Sequence, residues 1–319
     1  MRISDNLNAH TSHISMLGVP LDAGASQRGC IMGPASFRVA GLGEELQTLG
    51  LLVNDLGDAS PEDVSSEISE HEHVKNLPEI AGWTRSLFKH AYELAQKDTF
   101  PIYFGGDHSL SLGTVAGHAA AAAKAERPLF VLWLDAHADF NTFMTTESGN
   151  LHGTPLAYVC GQKGFEPLLG KALDSVVDPR NICIFGLRSV DRKERELVIE
   201  EGIEVHDMRN IDEHGVGKLI TPFLERVAAA NGLLHVSLDV DFLEPEIAPA
   251  VGTTVPGGAT FREAHLVMEI LHDSGLVTSL DLVELNPFLD DKGRTARLMV
   301  DLVASLFGRC VIDRKTRSV

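Results

Sequence analysis

Six short apolar stretches, each running out into polar residues, constrain this chain more than any other feature. They are "ISMLGVP" (14–20), "FPIYFGGDHS" (100–109), "LFVLWLDAHAD" (129–139), "NICIFGLRS" (181–189), "LLHVSLDVD" (233–241) and "VTSLDLVELNP" (277–287). A strand without a polar face has to be covered on both sides, as the inner strands of parallel sheets are. Residues 81–96, 111–128, 191–202, 216–231 and 261–274 lie between these runs and carry helical spacing. Strand and helix in alternation predict βαβ units, hence an α/β fold with a mostly parallel sheet and helices on both faces. With no internal repeat, residues 1–319 read as a single domain. The acidic stretch 59–78 reads as a surface loop with His71 and His73 in solvent, and 313–319 as a polar C-terminal tail.

The formal net charge of −18 argues against nucleic acid or an anionic membrane as partner and is compatible with a cationic small substrate. No apolar run approaches the roughly 18 residues that span a bilayer, and the N-terminal segment has no secretory h-region, so a cytoplasmic protein is expected. Cys30, Cys160, Cys183 and Cys310 have no C-x-x-C spacing and read as reduced and mostly buried.

In open parallel sheets, functional groups collect beyond the carboxyl ends of the strands. "YFGGDHS" delivers His108 there, after two glycines that permit a sharp turn. "WLDAHAD" delivers Asp135, His137 and Asp139, spaced by two and so facing one way. "VSLDVD" repeats that spacing with Asp239 and Asp241. Four carboxylates and two imidazoles aimed at one place repel or desolvate one another unless a cation holds them together. Two divalent ions about 3.5–4 Å apart would neutralise the four aspartates and activate a shared water as hydroxide. Oxygen-rich ligation with one imidazole per ion suits Mn²⁺, and Fe²⁺, Co²⁺ and Ni²⁺ fit the same donors.

Taken together, "GGDHS", "DAHADFN", "SGNLHG" and "SLDVDFLEP" resemble the signatures of the ureohydrolase family, nearest to its arginase branch. The resemblance runs from "LGVPLDAGASQRGCIMGPASFR" (17–38) through "TFREA" (260–264) to "DLVELNP" (281–287). It implies a three-layer α/β/α fold and hydrolysis of a guanidino compound to urea, with two Mn²⁺. It also implies one ion on His108, Asp135, Asp139 and Asp239 and another on Asp135, His137, Asp239 and Asp241, with Asp135 and Asp239 as bridges and Asp139 close to the chemistry.

The resemblance further implies that Asn141, Thr146, Ser148 and Asn150 read an α-carboxylate, and Asp191 and Glu194 an α-amino group. That makes L-arginine the expected substrate and L-ornithine and urea the products. Glu284 would pair with the guanidinium, Thr253 would line its pocket, and His152 would carry the proton that the leaving amine needs. His118 and His265 are assigned to structure. Other ureohydrolases, acting on agmatine, guanidinobutyrate or formiminoglutamate, are the nearest alternatives; a single-zinc amide hydrolase or a silent metal-binding homologue are more distant ones. Thr154, Ser189 and Phe143 depart from the family pattern beside the proton carrier, the amino-group site and the substrate loop. A homo-oligomer, trimer or hexamer, is implied, with Arg262 and Glu263 at its interface.

Overall fold

A computed structural model describes residues 12–64 and 67–312. The tail expected at 313–319 lies outside the described residues, as do positions 65 and 66 of the acidic loop. The strands are β1 (His13–Gly18), β2 (Leu52–Asp58), β3 (Phe100–Phe104), β4 (Leu129–Leu134), β5 (Ile182–Leu187), β6 (Glu204–Asp207), β7 (Leu233–Asp239) and β8 (Val277–Val283). They form one sheet in the order β2-β1-β3-β8-β7-β4-β5-β6. Every neighbouring pair is parallel.

Side-chain alternation splits the interior into two apolar cores. Phe130, Leu132 and Leu134 of β4 pack to one face with Phe37, Phe223, Val267 and Leu302 from the helices there. Leu129, Val131 and Trp133 pack to the other with Ile80, Leu87, Leu112 and Val115. The sheet is therefore the middle layer of three, and its inner strands are buried throughout, which is why they read as continuous apolar runs. The layered α/β architecture and the parallel sheet are as expected.

Two strands were not anticipated. β2 and β6 are the sheet's outermost strands, and β2 in particular is largely exposed, so it carries no apolar run. The helices Gly33–Val39, Leu42–Thr48, Met208–His214 and Arg294–Leu306 were also unforeseen. In the acidic loop, the helix Leu77–Leu94 already begins within the stretch expected to be loop. Val64 and Val74 there are buried, and the His71 ring lies 5.4 Å from that of Phe143, so His71 packs as well as meeting solvent.

The four central strands β3, β8, β7 and β4 end side by side, and each continues into a polar turn. After β3 the chain reverses through Gly105 and Gly106, at φ 91° and 70°. A side chain at Gly105 would also meet Pro34 Cδ at 2.3 Å. Gly105→Ala is accordingly expected to cost about 1–3 kcal/mol from the backbone conformation and the close approach together. Thermal or denaturant unfolding would read that loss, and unchanged stability would contradict the account.

Candidate metal centre and its cavity

His108 opens a short turn, His108–Leu110, directly after the glycine pair. Its ring stacks on the indole of Trp133, with centroids 4.1 Å apart and planes 1° from parallel. The ring's Nε2 meets Ser237 Oγ at 2.8 Å. With that hydroxyl accepting, the proton sits on Nε2 and the lone pair of Nδ1 is left to face the strand ends. There Nδ1 lies 3.0 Å from an oxygen of each of Asp135, Asp139 and Asp239.

A second group adjoins the first. His137 Nδ1 lies 3.0 Å from Asp241 Oδ2 and 3.5 Å from Asp135 Oδ1. Asp135 thus turns one oxygen to each imidazole, the disposition of a bridging carboxylate. Asp239 offers Oδ2 to the first group, while its Oδ1 accepts from Asp241 N at 2.7 Å. Backbone amides hold the rest in place: Ala136 N donates to Asp241 Oδ1 at 3.0 Å and His137 N to Asp135 Oδ1 at 2.6 Å. Arg188 donates to the carbonyls of Asp241 and Val255, tying the β7 turn to the loop that carries Thr253. Thr253 Oγ1 donates in turn to Asp241 Oδ2 at 3.1 Å.

The electrostatics of this cluster call for a cation. Burial, reinforced by Asp241 and Asp135, raises the Asp239 carboxyl far above the usual range. Burial and then Asp135 raise Asp139 to about 6. Burial opposes charge on the imidazoles, yet the surrounding carboxylates raise His108 well above its ordinary value and His137 to about 12. His108 Nδ1 and Asp135 Oδ2 are buried without any hydrogen-bond partner among the described residues. Orphaned atoms of this kind, within a set of imidazole and carboxylate donors, fit a divalent ion. Three-residue groupings able to hold an ion form from His108, Asp135 and Asp239 and from Asp135, His137 and Asp241. A third, Cys183 with Glu204 and His206 on β5 and β6, is already compensated, since Arg226 donates to Glu204 Oε2 at 2.6 Å.

The cluster forms the floor of a cavity of about 150 Å³. All the sequence-predicted site residues line it except Asp135, which lies buried behind its neighbours. Glu284 and His152 face each other, Oε1 to Nδ1, at 2.8 Å. Burial opposes the charged His152, and Glu284 more than offsets it, raising the imidazole to about 9. Burial also opposes the Glu284 carboxylate, but His152 holds its pKa below the usual value.

Towards the cavity's outer end the hydrogen bonding has a definite polarity. The Thr146 and Ser148 oxygens accept from Gly149 N at 3.1 Å and Asn150 N at 3.2 Å, and the two hydroxyls lie 3.5 Å apart, so that while one donates to the other the second is left to donate into the cavity. Asn150 Oδ1 accepts from Ser26 Oγ at 3.0 Å and Lys75 Nζ at 3.2 Å. An ammonium has no lone pair, so that contact fixes the amide with its NH₂ free to donate. Across the cavity stand acceptors. Asp191 Oδ2 takes a long 3.4 Å contact from Asn141 Nδ2, an amide that Thr145 Oγ1 orients from 2.9 Å, and the Asp191 side chain also serves the capping box of the helix that follows it. Glu194 is engaged differently: its two oxygens take Phe140 N at 2.8 Å and Asp191 N at 3.2 Å, capping the helix Arg192–Glu200.

Several of these supports escaped the sequence reading. Ser237 had a signal, because it precedes Asp239 by two on a strand and so shares its face. Trp133, Arg188, Ser26, Lys75 and Thr145 act through contacts that no local spacing encodes. Of the departures from the family pattern, Thr154 is buried with its hydroxyl donating to Leu151 O at 2.7 Å, and Phe143 packs on Phe165 at 4.6 Å between centroids. Ser189 lines the cavity.

Residues 12–308 match the model of the Arginase family. A protein named arginase from Agrobacterium fabrum is 60% identical over 302 residues, covering 94% of this chain and 92% of its own. The structure of arginase from Bacillus caldovelox superposes with a TM-score of 0.86 at 38% identity, over 94% of this chain and all (100%) of that one. That of Entamoeba histolytica arginase in complex with L-ornithine gives 0.83 at 26% identity, over 94% and 99%.

The raised Asp139 carboxyl makes a prediction about stability. A group whose folded pKa lies above its unfolded value stabilises the fold at low pH, and that contribution is lost as pH rises through about 6. Stripping divalent ions is therefore expected to lower the melting temperature more on the alkaline side of that value than on the acid side. Asp239→Ala should abolish the rise in melting temperature that added Mn²⁺ gives. Thermal scans with chelator and with Mn²⁺ read both effects, and an equal chelator effect at every pH would contradict them.

Proposed function

The chain belongs to the arginase family and is a ureohydrolase, a hydrolase acting on the guanidino group, and on that premise we propose that it hydrolyses L-arginine to L-ornithine and urea. The observation that carries the substrate is the polarity of the cavity. Donors from Thr146, Ser148 and Asn150 suit a carboxylate, and Asp191 on the facing side suits an ammonium, the two groups an α-amino acid presents together. Agmatine has no carboxylate and would leave the donor side unmatched. The Entamoeba histolytica relative, solved with L-ornithine, bears the same way.

In this reading His108, Asp135, Asp139, Asp239, His137 and Asp241 hold two divalent ions, which we take to be Mn²⁺, with Co²⁺, Fe²⁺ or Ni²⁺ able to replace them. Bound there, the ions supply an activated water at neutral pH and a counter-charge for the oxygen on the attacked carbon. Glu284 holds the planar guanidinium through its carboxylate and so sets the carbon's position over the floor of the cavity. Thr253, hydrogen-bonded to Asp241, lines the guanidinium end. When the carbon–nitrogen bond breaks, the δ-nitrogen of ornithine needs a proton. His152, raised to about 9 and so protonated at neutral pH, holds one within reach. Glu194 keeps the Asp191 backbone in register and contributes to amino-group recognition through it.

We further assign the protein to the cytoplasm, as a trimer or hexamer with Arg262 and Glu263 at its interface. Glu263 also caps its own helix, taking Thr260 N on Oε2 at 2.8 Å. No described helix is long and apolar enough to cross a membrane, and the charge of −18 disfavours nucleic acid.

The test is urea release from the Mn²⁺-loaded protein, arginine against agmatine. Asp191→Ala is expected to lower kcat/KM for arginine by about 10- to 100-fold, the loss of one charge-assisted hydrogen bond. 5-Guanidinopentanoate, which is arginine without its α-amino group, leaves Asp191 nothing to bind and should lose far less. Equal losses would remove Asp191 from the amino-group site, and a wild-type preference for agmatine would overturn the substrate.

A further inference from the structure

Cys30 is used by nothing described so far, yet it is 1% exposed and its sulfur lies 3.8 Å from Glu284 Oε2. The placement is enforced by backbone. Gly106 N donates to Cys30 O at 3.3 Å, and Gly106 O accepts from Glu284 N at 2.8 Å, so a single residue ties both segments. Asn286 Nδ2 reaches back to Arg28 O at 3.0 Å, and a Cβ on Gly29, itself at φ 136°, would strike Asn286 Oδ1. The turn Cys30–Met32 is thereby locked against the end of β8.

The two oxygens of Glu284 are treated unequally. Oε1 takes His108 N and His152 Nδ1, both at 2.8 Å. For Oε2 the hydrogen bond found among the described residues is that from Cys30. Burial, with Glu284 and Asp107 adding to it, raises the Cys30 pKa, so the sulfur carries a proton to donate. A thiol is a long, weak donor. It fixes the direction of Oε2 while withdrawing little of its charge, which stays available to an incoming guanidinium N–H.

We propose that Cys30 is a positioning residue for the guanidinium-binding carboxylate, its thiol orienting Glu284 Oε2 towards the cavity. The proposal rests on the reading that Glu284 receives the guanidinium, and two measurements keep the two apart.

The first needs no turnover: the S–H stretching band of Cys30, isolated in the infrared by difference between the wild-type protein and Cys30→Ser. It should lie below the frequency of an unbonded thiol and move on Glu284→Gln. A band at the unbonded position, indifferent to Glu284→Gln, overturns the proposal whatever the activity. The second is steady-state kinetics of the Mn²⁺-loaded enzyme. Cys30→Val keeps the volume and loses the donor, and is expected to raise KM for L-arginine about two- to tenfold, as for one modest hydrogen bond, with a smaller change in kcat. Cys30→Ser keeps a donor and should stay near wild type. The reverse order, with valine tolerated and serine not, would make Cys30 a packing residue and overturn the proposal. A shifted band in a protein that releases no urea from any guanidino compound would leave the contact standing and remove its role, along with the functional reading beneath it.

Discussion

Three carboxylate oxygens converge at 3.0 Å on one imidazole nitrogen, that of His108, in a largely buried cluster at the floor of the cavity. Like charges at such separations cost several kcal/mol unless opposite charge and hydrogen bonds offset them. Much of the surrounding construction answers that cost. The amides of Ala136, His137 and Asp241 each point at a carboxylate oxygen, and the Arg188 guanidinium sits against the carbonyl of Asp241. Parallel strands suit the task because β3, β8, β7 and β4 end at one edge and bring their polar turns together. The indole of Trp133, stacked on His108, limits how far the ring can tilt to relieve the crowding.

Backbone conformation records the same demand. Among non-glycine residues of the site, Asp139 and Glu284 adopt φ of 48° and 64°. Aspartate tolerates the left-handed region almost as asparagine does, but glutamate does not, so the strain falls chiefly on Glu284, at of order 1 kcal/mol or more. At Asp139 the bend turns the carboxylate towards His108; at Glu284 it leaves the strand direction so that one carboxylate meets His108 N, His152 and the cavity. Strain is tolerated where neighbours over-determine it, and here the amide of Glu284 is held by Gly106 O and that of Leu156 by Asp139 O.

What could be read in the sequence follows from range. Burial on both faces leaves a local mark, a run without polar positions, and all six marked runs contain strands of the central sheet. β2 and β6 left none, because an outer strand needs no second apolar face. Arg294–Leu306 was legible but not expected: Thr295, Leu298, Met299, Leu302, Val303 and Leu306 recur at the three- and four-residue spacing of one helix face and pack into the core. The ligand-type residues were visible for a similar reason: two-residue spacing at a strand end puts side chains on one face. The residues that orient them were invisible. Ser26 and Lys75 meet Asn150 from 124 and 75 positions away, and Cys30 meets Glu284 from 254.

The floor and the outer end of the cavity belong to different parts of the chain. The floor uses the first turns after β3, β4, β7 and β8, with each of its residues no more than about five positions from a strand end. The outer end uses residues 141–150, well beyond β4, and the turn after β5 that leads into Arg192–Glu200. These two segments touch mainly through Asn141 and Asp191, at 3.4 Å, and through the bond from Phe140 N to Glu194. Substitutions in the outer loops can therefore reshape the outer end while leaving the charge balance of the floor intact. The converse does not hold. A backbone change at Asp139 would carry with it Phe140 and Asn141, the residues that meet Glu194 and Asp191. The link runs through a single left-handed residue, so the geometry of the cavity's outer end is set from below, by the same crowding of carboxylates that calls for the cation.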